Sequence, residues 1–214
     1  MASDFPDDIH TEPSDIAVDT LANLGPLRRM AGIWEGHKGL DINPNIDGSG
    51  RQAYLERIEL QPCDPQTNGP QLLYGLRYHV CVLKPDAPET YHDQVGYWLW
   101  EPATGLILHS LTLPRGQVVL ASGHARADAD SFEVTARRGS TEYGICSTAF
   151  LEHAFRTESF LMKVTFNADG TWSYFEDTEL RVKGRDAPFH HTDRNTLALV
   201  APPTPNPLAR AAQT

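Results

Sequence analysis

The chain has 214 residues with 18 Lys and Arg against 28 Asp and Glu, a net charge of −10, and 40% hydrophobic residues. That length is one domain with tails at ~100–200 residues per domain, and the acidic balance lacks the basic patch that neutralises nucleic-acid phosphates. The N-terminus MASDFPDDIH has no basic and apolar signal segment, and no run approaches the ~18 apolar residues of a membrane span.

Residues 1–19 read as a disordered acidic leader. Six of the 28 acids lie in the first 24 residues, which hold no Lys or Arg, so the remainder carries only −4. A short helix is expected from Asp19 or Thr20 as N-cap through Leu21, Leu24 and Leu27 to Met30, broken or kinked at Pro26. The body, 20–200, follows as strands. Trp34–Gly39, Tyr54–Leu60, Leu72–Leu83, Gln94–Glu101, Leu106–Leu113, Val118–Gly123, Phe132–Ala136, Phe160–Phe166, Thr171–Val182 and Asn195–Val200 are separated by turn residues. The last hairpin is the plainest, with Phe160, Met162, Val164 and Phe166 alternating before the turn Asn167-Ala168-Asp169-Gly170. Residues 201–214 are a Pro/Ala-rich tail.

No β-α-β alternation occurs, so the expected class is all-β: a closed antiparallel barrel of about ten strands with a short N-terminal helix. Closure removes sheet edges, and a barrel of this size can enclose a ligand. A core filled by its own side chains is the competing reading. Cys63, Cys81 and Cys146 form no C-x-x-C pair, which fits a reducing cytoplasm.

Motifs for serine hydrolases, P-loops, dinucleotide folds and H-E-x-x-H zinc enzymes are missing from the sequence. Glu176 and Asp177 are neighbours on opposite strand faces, which is poor placement for acid/base partnership. His79, His109 and His124 could converge as in cupin-like metal sites, with no recognisable spacing. His190 and His191 open the last strand. Counting back by twos from Leu199 and Leu197 reaches Asn195, Asp193 and His191, so His191 faces the apolar side and His190 faces out. An inward imidazole suits axial ligation of haem iron; a surface His pair beside a turn is the plainer alternative. By the same parity His92 shares a face with Gln94, Gly96, Trp98 and Trp100, either as pocket rim or as a hydrogen-bonded loop residue.

Four segments together resemble the nitrobindin family of haem-binding β-barrels, whose shape is related to fatty-acid-binding proteins. Leu24-Gly25-Pro26-Leu27 and Met30-Ala31-Gly32-Ile33-Trp34-Glu35-Gly36 look like its G-x-W-x-G entry. Tyr54-Leu55-Glu56 and Leu73-Tyr74 look like its second and third strands. His92-Asp93-Gln94-Val95-Gly96-Tyr97-Trp98 is similar to its H-x-E-x-G-Y segment, and His190-His191 falls where the family carries its proximal haem histidine. Gly36-His37-Lys38-Gly39 departs from the family's alternating glycines, Gln94 replaces an acid, and Thr192-Asp193-Arg194-Asn195 follows His191 where a leucine is usual. A bulge residue there would restore His191 to the family's ligand position.

The resemblance implies haem b in the barrel mouth, with His191 as proximal ligand, His190 as fallback, His92 and Trp34 in the cofactor pocket and Asp193 as hydrogen-bond partner. It implies nitric oxide or peroxynitrite as small ligand, a haem-dependent isomerisation of peroxynitrite to nitrate, and a monomer or homodimer without nucleic-acid or membrane partners. The alternative function is a haem-free carrier of a small apolar or fatty-acid-like ligand, for which Arg77, Tyr78 and Arg181 could hold a carboxylate.

Overall fold

The expected meander closes on itself. The computed structural model describes residues 5–87 and 89–213. Its strands are β1 (Gly32–Asn45), β2 (Gly48–Pro62), β3 (Gln66–Asn68), β4 (Gln71–Leu83), β5 (Thr90–Glu101), β6 (Leu106–Leu113), β7 (Gln117–His124), β8 (Ser131–Arg138), β9 (Gly144–Ser147), β10 (Phe155–Phe166), β11 (Trp172–Val182) and β12 (Phe189–Ala201). Neighbours run β2-β1-β12-β11-β10-β8-β9-β7-β6-β5-β4, and pairing of β2 with β4 closes the ring. β3 pairs with β4 alone, outside the ring.

The barrel departs from the all-antiparallel expectation at one place. β7 and β8 share a register only at Ser122↔Thr135. β9 fills the opening between them, antiparallel to β7 and parallel to β8. The barrel is therefore mixed, with eleven strands.

The N-terminal helix is broken where Pro26 demands it. Helix α1 (Thr20–Asn23) is capped by Asp19, which accepts from the Ala22 amide, and a 3₁₀ turn (Gly25–Met30) follows. Gly25 sits at φ 52°, and a Cβ there would lie 2.4 Å from the Trp100 ring, so only glycine allows the approach. Leu24, Leu27 and Met30 are fully buried, and the Trp34 indole donates to the Met30 carbonyl at 2.7 Å. This segment plugs one end of the barrel.

Two further helices lie where none was expected. Helix α2 (Ala149–Ala154), capped by Thr148, precedes β10. Helix α3 (Pro207–Ala211) falls in the Pro/Ala-rich tail. Before it, buried Asn206 donates to the Val18 carbonyl and to Asp64 Oδ1, and accepts from the Thr20 amide. Among the described residues no helix is long and apolar enough to cross a membrane.

Inward positions alternate along each strand, as a closed barrel requires. One irregularity matters for the site. In β1 the register with β2 shifts between Gly36 and Gly39, and His37 and Lys38 are both exposed. This bulge moves the inward parity from Trp34 and Gly36 to Gly39, Asp41 and Asn43. The broken glycine alternation in the sequence is thus a β-bulge in β1. No shift occurs between β11 and β12, so His191 needs no bulge to face inward.

Gly96 has a packing reason: a Cβ there would lie 1.9 Å from the Ser110 carbonyl oxygen in the neighbouring strand. Gly96→Ala must separate β5 from β6, and we expect a loss of about 1–3 kcal/mol in urea unfolding. A wild-type midpoint in the variant would refute this reason.

Candidate functional site

The closed end and the ring of strands leave a cavity of about 610 Å³, whose lining includes Phe150 and Leu151 of α2. This size falls in the ~300–1,000 Å³ range of small-molecule sites. Its inner wall is apolar, with Ile58, Trp98, Leu111, Phe160, Met162 and Trp172. Polar groups collect on β1, β2, β11 and β12, and a second set on β4, β5 and β6.

The first set centres on His191. Its Nε2 lies 2.9 Å from Asp41 Oδ1 and 3.4 Å from Asp193 Oδ2. β1 and β12 are paired so that Asp41 stands opposite Asp193. The other oxygen of Asp41 accepts from the Tyr91 hydroxyl at 2.5 Å and from Asn43 Nδ2 at 2.8 Å. Asp41, His191 and Asp193 each offer one donor atom within 4.8 Å of the others.

The electrostatics follow from this crowding. Burial alone raises the Asp41 carboxyl, but hydrogen bonds from His191, Tyr91 and Asn43 outweigh it and hold it below its ordinary value. Burial alone lowers the His191 imidazole, but the Asp41 hydrogen bond and the charges of Asp193, Asp41 and Glu176 carry it above its ordinary value. Burial pushes Asp193 and Glu176 upward, with Asp41 repelling the first and Asp193 the second. Deeper still, Glu56 accepts from Asn195 Nδ2 at 2.8 Å and from the Tyr174 hydroxyl at 3.0 Å, and Tyr174 meets Tyr54 at 2.8 Å. Burial lifts Glu56 to about 7, the two hydrogen bonds notwithstanding.

The second set is a chain of hydrogen bonds. His92 Nε2 lies 3.3 Å from Gln94 Oε1, Gln94 Nε2 donates to the Tyr78 hydroxyl at 2.6 Å, and that hydroxyl lies 2.9 Å from His109 Nε2. His109 stacks flat on Trp98, with centroids 3.7 Å apart. Burial keeps His92 below its ordinary value and takes His109 down to about 3, so both imidazoles are neutral at neutral pH.

The structure brings together two of the four residues expected at the cofactor. His191 and His92 both line the cavity. His190 points out of the barrel, where its Nδ1 lies 2.9 Å from Asp177 Oδ2, because the two histidines are adjacent on one strand. Trp34 does not line the cavity. It is buried at the plugged end against Trp172, with centroids 6.1 Å apart. Asp193 is near His191 as expected, but Asp41 is the closer partner.

The carboxylate anchors foreseen for a lipid also scatter. Arg77 is exposed, Arg181 donates outside to the Asp186 carbonyl, and the Tyr78 hydroxyl is already bonded. Of His79, His109 and His124, only His109 reaches the interior; His79 pairs with Asp93 outside. Asp41, Glu56 and the chain from His92 to His109 were missed by sequence reasoning. The available signal for Asp41 was the parity break at Gly36-His37-Lys38-Gly39.

A family model described as "THAP4-like, heme-binding beta-barrel domain" matches residues 23–198. Among solved structures, the crystal structure of Rv2717c from M. tuberculosis is similar in fold, with a TM-score of 0.54 and 20% identity over 85% of this chain and 98% of that one. No curated protein matches the chain.

Proposed function

The chain belongs to the THAP4-like, heme-binding β-barrel domain family, the nitrobindin family, and from that membership we propose that its cavity holds haem b through His191. The observation that carries the reading is an imidazole on the cavity wall whose Nε2 is held by the buried carboxylate of Asp41. Carboxylates commonly orient a metal-binding imidazole in this way, while the other ring nitrogen meets the metal. With Nε2 held by Asp41, Nδ1 is the ring nitrogen that His191 would offer to the iron. The cavity volume and its apolar inner wall fit a flat, largely hydrophobic cofactor.

Bound there, haem would supply an iron with an open position for nitric oxide or peroxynitrite, and the chemistry that converts peroxynitrite to nitrate. The chain's own groups do the rest. Asp41, itself fixed by Tyr91 and Asn43, orients His191. Phe160, Met162 and Trp172 give the inner cavity apolar surface for the cofactor to lie against. His92 and Gln94 add a neutral polar edge to the cavity wall.

Titrating the purified chain with hemin tests the proposal. A Soret shift saturating at one equivalent is expected, and an unshifted spectrum overturns it.

The fatty-acid alternative has less support. Among the described residues the cavity lining holds one Lys or Arg, Arg115, and its guanidinium donates to the Tyr91 carbonyl. Asp41, Glu56, Glu176 and Asp193 line the same space. Asp41 is the one of these held in its charged form, and the two cations beside it, Arg115 and His191, are both already engaged, which leaves no open partner for a fatty-acid carboxylate among the described lining residues.

A further inference from the structure

The outer wall of the barrel carries a second concave surface, separate from the cavity. It is lined by Arg137 and Arg138 of β8, Arg156, Glu158 and Ser159 of β10, and Glu179 and Arg181 of β11. Four guanidiniums face two carboxylates there, on a chain whose net charge is −10.

Strand register brings these side chains together. β8, β10 and β11 are neighbours, and Arg156 stands directly opposite Arg181, while Ser159 stands opposite both Arg137 and Glu179. Thr157 and Leu180, next along the strands from Arg156 and Arg181, line the cavity, so both arginines point outward. Ala136 is buried, which turns Arg137 outward as well. The register of β10 with β11 shifts between Thr157 and Ser159, and Thr157 and Phe160 both face the cavity, so Glu158 and Ser159 are both on the outer side.

Like charges directly opposite on a sheet are destabilising, and the nearby acids relieve only part of this repulsion. Arg138 is taken by Glu152 of α2. Glu158 accepts from Arg156 Nε at 2.6 Å, and Arg181 donates through Nη1 to the Asp186 carbonyl at 3.2 Å. A guanidinium has five N–H donors, so both keep donors to spare. The Arg137 guanidinium is exposed and has no hydrogen-bond or ion-pair partner among the described residues.

We propose that Arg137, Arg156 and Arg181 form an anion site on the outer wall that takes the phosphate group of a small soluble molecule. A phosphate monoester carries close to two negative charges and three strong acceptor oxygens, enough for several guanidinium forks, whereas a carboxylate is matched by one. The Ser159 hydroxyl, opposite Arg137, adds a further donor. None of these residues lines the cavity, so the site is independent of haem binding.

The probe is pyrophosphate, titrated by calorimetry into the full chain at low salt, where exposed charges are least screened. Wild type is expected to bind it with a dissociation constant below about 1 mM. Arg156→Gln and Arg181→Gln each lose about tenfold or more, and Arg137→Lys, which keeps the charge but not the fork, loses about threefold. Arg77→Gln removes an exposed arginine of β4 and stays within about twofold. No binding by wild type overturns the site, and so does an equal loss in Arg77→Gln, the result expected of diffuse attraction alone. Should Arg156→Gln or Arg181→Gln fail to fold, Arg137→Gln decides, because that side chain has no partner to lose; wild-type affinity in it overturns the proposal. Cosedimentation with vesicles of phosphatidylcholine and phosphatidic acid is the second arm. Arginine-dependent vesicle binding without pyrophosphate binding overturns the soluble ligand in favour of a lipid headgroup.

Discussion

His191→Ala removes the hemin-induced Soret shift, with an affinity loss of more than about 100-fold, whereas His190→Ala stays within about threefold of wild type. The contrast follows from strand parity. His191 lies on the cavity wall beside Asp41 and Asp193, and its neighbour is turned outward onto Asp177. Asp41→Asn keeps the shape but weakens the hold on the His191 ring, so an intermediate loss of about tenfold is expected. Hemin titrations of the three variants, with circular dichroism to show that each barrel is intact, check the ordering. A His191→Ala protein with the wild-type spectrum, or a His190→Ala protein without it, defeats the assignment.

The second large effect is on stability. Glu56 lies in the buried network of Asn195, Tyr174 and Tyr54, and burial raises its carboxyl from 4.5 to about 7. The folded chain therefore binds this proton more tightly than the unfolded chain. Its contribution is fully present below pH 4.5 and is lost as pH rises through about 7. The loss is about 3 kcal/mol at 1.36 kcal/mol per pH unit. Glu56→Gln stays neutral and still accepts from Asn195 and Tyr174. The variant should match wild type near pH 4.5 and melt roughly 5–10 °C higher at pH 8. His109, whose depressed value gives the opposite slope, is present in both proteins and cancels in the comparison. Thermal melts from pH 4.5 to 8 decide the matter, and parallel curves for the two proteins would rule out a buried, strained Glu56.

Much of this site was readable along single strands. Alternation correctly put His92 with Gln94 and Trp98, and His191 with Asp193 and Asn195, on the inner face. It also separated His190 from His191 and Glu176 from Asp177. The same local logic placed the helix break at Pro26 and the hairpin at Asn167-Ala168-Asp169-Gly170. Trp34, expected in the cofactor pocket, lies outside the cavity lining, because alternation tells which face a residue takes, not how far along the barrel axis it lies. Trp34 is buried against Trp172 and donates to the Met30 carbonyl of the plugging segment.

Composition and period-two patterning therefore determined that the chain is a β-barrel, and which side of each regular strand faces in. Both are local properties, since a side chain's face depends only on its own strand. What lies opposite what was decided by the tertiary structure. Asp41 and His191 are 150 positions apart and meet because β1 pairs with β12. Asp41 faces inward at all because the bulge at His37 and Lys38 reverses the parity of β1. Glu56 receives Asn195 and Tyr174 from strands more than a hundred residues away. Strand pairing is a long-range choice made by closure of the ring, and no window of sequence contains both partners.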